Sequence, residues 1–141
     1  NETEIQSIES ALALSGPFSG ARNHIQTALE KYSDKTDPDY RNCVKESISA
    51  VESMCQILAD NPKATLGAAL KVLNNSGIDI HSALAAGFEK IYGYTSDQDG
   101  IRHAILNESK TVEPEDALFM LVSCSAFCNY LQQKAVKAGI I

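Results

Sequence analysis

The stretch DYRNCVKESISAVESMCQILAD, residues 39–60, decides the fold class. Its apolar side chains follow one another at steps of four and three residues, at Val44, Ile48, Val51, Cys55 and Leu58. Steps of this size place side chains on one face of an α-helix, whereas a strand would alternate every two residues. The stretch therefore predicts a long core helix.

A polar stripe accompanies the apolar one along the same helix. Its members are small or polar and recur at helical spacing, at Asn42, Glu46, Ser49 and Ser53. Residues three and four apart lie next to one another on a helix surface, so these side chains share a face. Such a face either meets solvent or lines a polar groove.

The helical period also recurs on both sides of this helix, and no segment shows sustained two-residue alternation. Further helices are predicted within residues 2–14, 16–34, 61–77, 81–94 and 113–139. Asp37 and Pro38 suit the cap and first position of the long helix, while Gly77 and Gly93 are expected to end two others. We expect an all-α antiparallel bundle of five to six helices with a short cross-helix, in one domain over residues 1–141.

The last predicted helix differs from the others because it is apolar on more than one side. It begins with Glu113, Glu115 and Asp116 and carries lysines near its end, and both features favour the helix dipole. A helix of this kind lies at the centre of a bundle or across a dimer interface.

The composition excludes several classes of function. The chain has 141 residues, 44% of them apolar, and a formal net charge of −6. An acidic chain repels a phosphate backbone, so nucleic-acid binding driven by overall charge is not expected. The sequence shows no secretory signal and no bilayer-length apolar run, which predicts a cytoplasmic protein without membrane contact. The first residue is Asn rather than Met, as in a trimmed chain or a domain cut from a longer protein.

The four cysteines all fall inside predicted helices, at Cys43, Cys55, Cys124 and Cys128. They lack the CxxC spacing of a zinc ribbon, and free cysteine is among the most buried residue types. Cys124 and Cys128 are one turn apart and could share a metal with a histidine, but reduced core thiols are the favoured interpretation. We expect neither a metal nor another cofactor.

The segment YTSDQDGIRHAI, residues 94–105, concentrates the chemistry of the chain. One interpretation is a capped turn between helices, with Arg102 as a tether and His103 as a half-buried anchor. The other is a site in which His103 acts as general acid or base and Arg102 stabilises charge on a phosphate. Neighbouring residues on a helix point about 100° apart, so a second segment would have to help, and Arg41 is the natural source.

Other motif classes are missing from the sequence. It contains no P-loop, GxGxxG, HExxH or GxSxG pattern, and its lysines and arginines do not cluster into a basic recognition helix. His24 falls near the edge of an apolar stripe and His81 near a predicted helix start. Structural or capping roles are expected for these two histidines.

Four blocks of the chain resemble a bacterial family of abortive-infection-associated (AbiJ-type) proteins, placed among the HEPN (higher eukaryotes and prokaryotes nucleotide-binding) domains. They are YRNCVKESISAVESMC (40–55), ATLGAALKVL (64–73), IHSALAAGFEKIYGYTSDQDGIRHAI (80–105) and DALFMLVSCSAFCNYL (116–131). The resemblance covers about residues 17 to 133, and TSDQDGIRHA is its most specific part. It implies a helical bundle, frequent dimerisation and a link to phage defence or toxin–antitoxin systems.

Active members of the HEPN group are metal-independent endoribonucleases, as the resemblance implies. Their signature is an arginine followed after four to six residues by a histidine, the two meeting in a cleft that a dimer often completes. Arg41 begins like that signature, but Glu46, Ser47 and Ile48 stand where the histidine would fall. Arg102 is followed directly by His103 instead.

We therefore expect a HEPN-like accessory or sensor domain of a bacterial antiphage, abortive-infection or stress-response protein, forming a homodimer and binding RNA, a nucleotide or a partner protein. The alternative is a metal-independent endoribonuclease, and a third interpretation is a purely structural dimerisation or interaction module. The sequence leaves open whether the chain is an enzyme. The candidate catalytic residues are His103, Arg102 and Arg41, and the candidate binding residues are Asn42, Glu46, Tyr94, Asp97 and Asp99.

Overall fold

The computed structural model of the chain describes residues 1–96 and 112–140, with every side chain in those ranges except those of residues 94–96. All regular secondary structure in these ranges is helical, which confirms the all-α prediction. The helices are α1 (Glu2–Leu12), α2 (Ser19–Ser33), α3 (Tyr40–Leu58), α4 (Leu66–Asn75), α5 (Ser82–Ser96) and α6 (Pro114–Lys137), with a short 3₁₀ turn at Gly16–Phe18. None of these described helices is both long enough and apolar enough to cross a membrane.

Helices α2 and α3 form an antiparallel pair joined by a short turn. The turn is closed by a hydrogen bond from the Asp39 N–H to the Lys31 carbonyl (2.9 Å). At the other end of the pair, Gly20 near the start of α2 lies against Ser53 near the end of α3. Contacts in this reversed order align the side chains of α2 with the polar stripe of α3.

Helix α6 packs beside α3 and runs parallel to it, so the prediction of an antiparallel bundle is wrong for this pair. The two helices begin together, where the Cys43 thiol lies 3.9 Å from the Ala117 carbonyl oxygen. Further along, Cys55 is close enough to Cys128 to influence its ionisation. Each helix buries nine residues in the core, so this parallel pair forms the centre of the molecule.

Helices α1 and α5 pack on other sides of α6. Helix α1 is tied to α6 by a hydrogen bond from the Asn129 side chain to the Ser7 carbonyl (3.0 Å). Helix α5 stacks Phe88 on Phe127 of α6, with 3.4 Å between ring centroids. The central position predicted for the last helix is confirmed.

Two predicted helix boundaries are wrong. Asp39, not Asp37, caps α3, because its carboxylate accepts the Asn42 N–H (3.1 Å), and the helix begins at Tyr40 rather than at Pro38. Asp37 belongs to the preceding turn, where its N–H donates to the Asp34 carboxylate (3.0 Å). Gly93 does not end α5, which continues to Ser96. A glycine with ordinary helical φ only weakens a helix by about 1 kcal/mol, whereas Gly77, at φ 96°, does end α4 as predicted.

Candidate functional site

The polar stripe of α3 remains at the surface of a helix that is otherwise largely buried. Asn42 is exposed, while Glu46, Ser49 and Ser53 are each half-buried. We call these four residues the polar flank. The apolar face of α3 points in the opposite direction and packs into the core. The polar flank is a continuous line of hydrogen-bonding side chains beside α2.

Helix α2 adds an imidazole to the polar flank. His24 Nδ1 lies 2.6 Å from Oε2 of Glu46, and the two residues are 22 positions apart in sequence. The His24 side chain is 40% exposed and that of Glu46 is 24% exposed. The pair is therefore partly shielded from water but reachable from outside.

The geometry of this pair orients the imidazole ring. A carboxylate can only accept hydrogen bonds, so Nδ1 of His24 carries the proton and donates it to Glu46. In the neutral ring, Nε2 is then the acceptor. A histidine held in this way by a carboxylate presents one defined nitrogen to a ligand.

The close approach of α2 to α3 depends on a glycine. A Cβ atom placed on Gly20 would lie 3.1 Å from the Ser53 hydroxyl oxygen, which is tighter than ordinary contact. The absent side chain lets the start of α2 lie directly against the flank. His24, one turn further along α2, is thereby brought within reach of Glu46.

Asn42 closes the other end of the flank and is held by the helix cap. Asp39 accepts hydrogen bonds from the backbone N–H of Asn42 (3.1 Å) and from its side-chain amide (2.6 Å). Burial acts to raise the pKa of Asp39, but these hydrogen bonds and the charge of Lys31 outweigh it, so the pKa lies below 3.8. One N–H of the Asn42 amide is thus engaged, and its second N–H and its carbonyl oxygen can serve a ligand.

Arg41 does not share this face. Five residues separate it from Glu46, a rotation of about 140° around the helix axis. It lines a cavity of about 340 Å³, together with Asp37, Asp39 and Val112. The structure thus brings Asn42 and Glu46 together, and it turns Arg41 towards the segment that leads into α6.

Most of the other predicted site residues belong to residues 94–105. Asp97, Asp99, Arg102 and His103 lie outside the described residues, and Tyr94 belongs to α5 but its side chain is not described. The grouping of His103 with Arg41 or with the polar flank stays a prediction.

A second acidic residue of α3, Glu52, contacts helix α5. The Tyr92 hydroxyl of α5 donates to Glu52 Oε2 at 3.3 Å. Glu46 and Glu52 are six residues apart and lie on opposite sides of Ser49. The outward surface of α3 is therefore bordered by a histidine from α2 and a tyrosine from α5.

The cysteines occupy the core, as predicted. All four are free thiols and fully buried. Burial raises the pKa of Cys43 to about 12, and it also raises that of Cys55 to about 12. Thiols in this state stay protonated at neutral pH, which makes them poor nucleophiles and poor ligands. Within residues 1–96 and 112–140, no group of three or more His, Cys, Asp or Glu side chains is arranged to hold a metal.

Sequence reasoning missed the contact of His24 with Glu46 but anticipated the role of His81. His81 Nδ1 accepts the N–H of Ala83 (3.0 Å) at the start of α5, which confirms a capping role. The His24 contact had a usable signal in the sequence. His24 lies seven residues before Lys31 and Glu46 seven after Asp39, two turns on either side of the turn that joins the helices.

Comparison of the chain with protein-family models, with curated proteins and with solved structures found no match.

Proposed function

We propose that the chain is a HEPN-like accessory or sensor domain of a bacterial antiphage or stress-response protein, and that it binds single-stranded RNA or a nucleotide through the polar flank. The observation that carries the proposal is the His24–Glu46 pair, which adds an oriented imidazole to a surface line of amide and hydroxyl groups.

The chemistry of the flank suits a base more than a phosphate. Its four residues supply an amide, two hydroxyls and a carboxylate, and His24 of α2 adds an imidazole; all of these groups can hydrogen-bond to the edge of a nucleobase. Single-stranded RNA is recognised mainly in this way, with stacking on aromatic or histidine rings. The carboxylate of Glu46 and the net charge of −6 both disfavour binding that depends mainly on contacts to the phosphate backbone of the RNA.

Binding of this type has a defined salt signature. Proteins that neutralise many phosphates lose affinity steeply as salt rises, because counterions are released on binding. A base-reading flank should lose less than about tenfold in affinity between 50 and 200 mM salt, as expected for only one or two phosphate contacts.

The test is a fluorescence-anisotropy titration of labelled single-stranded RNA and of labelled nucleotides at both salt concentrations. His24→Ala and Glu46→Ala should weaken binding, while Gln26→Ala, an exposed position elsewhere on α2, should not. Binding that is unchanged in both His24→Ala and Glu46→Ala would refute the proposed site. No binding of RNA or nucleotide at any salt would refute the proposed ligand class.

A second candidate is a metal-independent endoribonuclease with His103 as general acid or base and Arg102 and Arg41 on phosphate. The orienting roles expected for Asn42 and Glu46 are not part of it, because Arg41 does not share their face of α3. One observation favours it: Arg41 shares a cavity with Val112, close in sequence to the segment that carries His103. Single-stranded RNA should then be cut in the presence of EDTA. His103→Ala should abolish cutting without lowering the melting temperature, since equal loss of stability would indicate an anchor.

A further inference from the structure

We propose that the outward face of α6 is a self-association surface on which a second copy of the chain docks with its own α6 antiparallel. The proposal does not depend on the ligand of the polar flank. It rests on three properties of α6: an exposed apolar stripe, a middle without charge, and opposite charges at its two ends.

The apolar stripe lies on the side of α6 that faces away from α3. It comprises Phe119, Val122, Ala126 and Tyr130, which follow one another at steps of three and four residues. Phe119 is 58% exposed and Ala126 is also exposed, while Val122 and Tyr130 are half-buried. We call these four residues the outer face. Aromatic side chains, phenylalanine included, are enriched at protein–protein interfaces.

The charges of α6 are confined to its ends. No charged residue occurs between Ala117 and Gln133, whereas Glu115 and Asp116 lie in the first turn and Lys134 and Lys137 in the last. A second α6 laid parallel would bring like charges together at both ends. Laid antiparallel, it brings the acidic turn of each copy beside the basic turn of the other, and that arrangement selects a second copy as the occupant.

One register of the antiparallel helix pair satisfies both the apolar stripe and the charges at the helix ends. A two-fold axis near the middle of the stripe sets Phe119 of one copy against Tyr130 of the other, and the same axis sets Asp116 against Lys134. The two aromatic rings are eleven residues apart, about 16 Å along the helix, with the small Ala126 between them to allow close approach. Lys134 already lies over the Tyr130 ring, 5.6 Å from its centroid, at the border of the outer face.

The apolar part of the contact includes a recess. Phe119 lines an open cavity of about 350 Å³ with Ile91 and Met120, flanked by Lys90 and Asp116. A partner aromatic ring directed at Phe119 therefore meets an apolar recess with charged edges, which is the usual anatomy of an interface centre and rim.

The first test is sedimentation equilibrium of the full chain over a dilution series from about 1 mM to about 1 μM. The chain should dimerise reversibly, and Ala126→Arg should shift it to monomer because it buries a charge at the centre of the contact. Ala126 is exposed and arginine favours helices, so the monomer should keep its melting temperature. Gln26→Arg adds the same charge to an exposed position on α2 and should leave the dimer intact.

The second test fixes the antiparallel arrangement. Glu115→Lys and Lys137→Glu alter exposed ends of the same helix, and each alone should weaken the dimer about tenfold or more through two like-charge contacts. An equimolar mixture of the two variants should recover dimerisation, because every swapped residue then meets an opposite charge.

Three results would overturn the proposal. They are a monomer throughout the dilution series, a dimer that Ala126→Arg leaves unchanged, and swapped variants that fail to pair with one another while each retains its folded circular-dichroism spectrum.

Discussion

The contact between His24 and Glu46 should couple the two residues by about 1 kcal/mol in the free energy of unfolding. The 2.6 Å separation is that of a short, charge-assisted hydrogen bond. Exposed ion pairs are worth about 0.2–1 kcal/mol and hydrogen bonds to charged groups about 1.5–3 kcal/mol. With side chains 40% and 24% exposed, this pair belongs between those two classes.

A double-mutant cycle measures that coupling. Urea unfolding of the wild type, His24→Ala, Glu46→Ala and the double variant gives the coupling free energy directly. One kilocalorie per mole corresponds to a shift of about 0.5 M in the urea midpoint for a slope near 2 kcal/mol per molar. The matched control combines Gln26→Ala with Glu46→Ala, two residues for which no contact is found, and should be additive within about 0.3–0.5 kcal/mol. A His24–Glu46 coupling no larger than that of the control would refute the reasoning.

Three further changes test the packing around the site. Asp39→Ala should cost about 1 kcal/mol at pH 7, through loss of the α3 cap. Because the pKa of Asp39 is lowered from 3.8, its contribution is present above that value and lost as pH falls through the folded pKa, so thermal melts of variant and wild type should converge in acid. The cysteines should resist a thiol reagent until urea unfolds the chain. With the pKa of Cys43 raised from 9.0 to about 12, stability should fall as pH rises from about 9 to about 12, which alkaline melts will measure. Gly20→Ala should be near neutral in the wild type but stabilising by roughly 0.5–1 kcal/mol when Ser53→Ala removes the crowded hydroxyl, as urea midpoints will show.

The helices could be predicted because their signals are local. The apolar period of α3 and the left-handed Gly77 after α4 each act within a few residues of chain. Gly93 misled the prediction because a glycine ends a helix only when its backbone turns left-handed, and its sequence neighbours do not report that choice. The α3 cap was misassigned for a similar reason, since Asp34 and Asp39 divide the hydrogen bonds of the turn in a way that composition does not reveal.

The site was harder to predict because its contacts join different helices. The polar flank followed from spacing within α3 alone, but the His24 contact depends on the length of the turn between α2 and α3. Once that turn is closed by the hydrogen bond from Asp39 to Lys31, equal steps along both helices lead to His24 and Glu46. The rotation that separates Arg41 from Glu46 was also accessible, because it needs only the angle per residue.

The two proposed surfaces constrain each other through their positions on the central pair of helices. On α3, Ser49 belongs to the polar flank and is half-buried, whereas the buried Val51, two residues later, points about 200° away from it. On α6, the buried Cys124 and the exposed Ala126 of the outer face are separated by the same angle. The polar flank and the outer face of α6 therefore lie on opposite sides of the α3–α6 pair. In a dimer joined through α6, the two α3 axes are three helix spacings apart, about 24–30 Å, so neither flank can complete the other. Such a dimer holds two separate sites: the Ala126→Arg monomer should bind its ligand with unchanged affinity, one ligand per chain. The cleft shared between subunits that the HEPN resemblance implies would behave in the opposite way, because its activity would vanish when the dimer is broken.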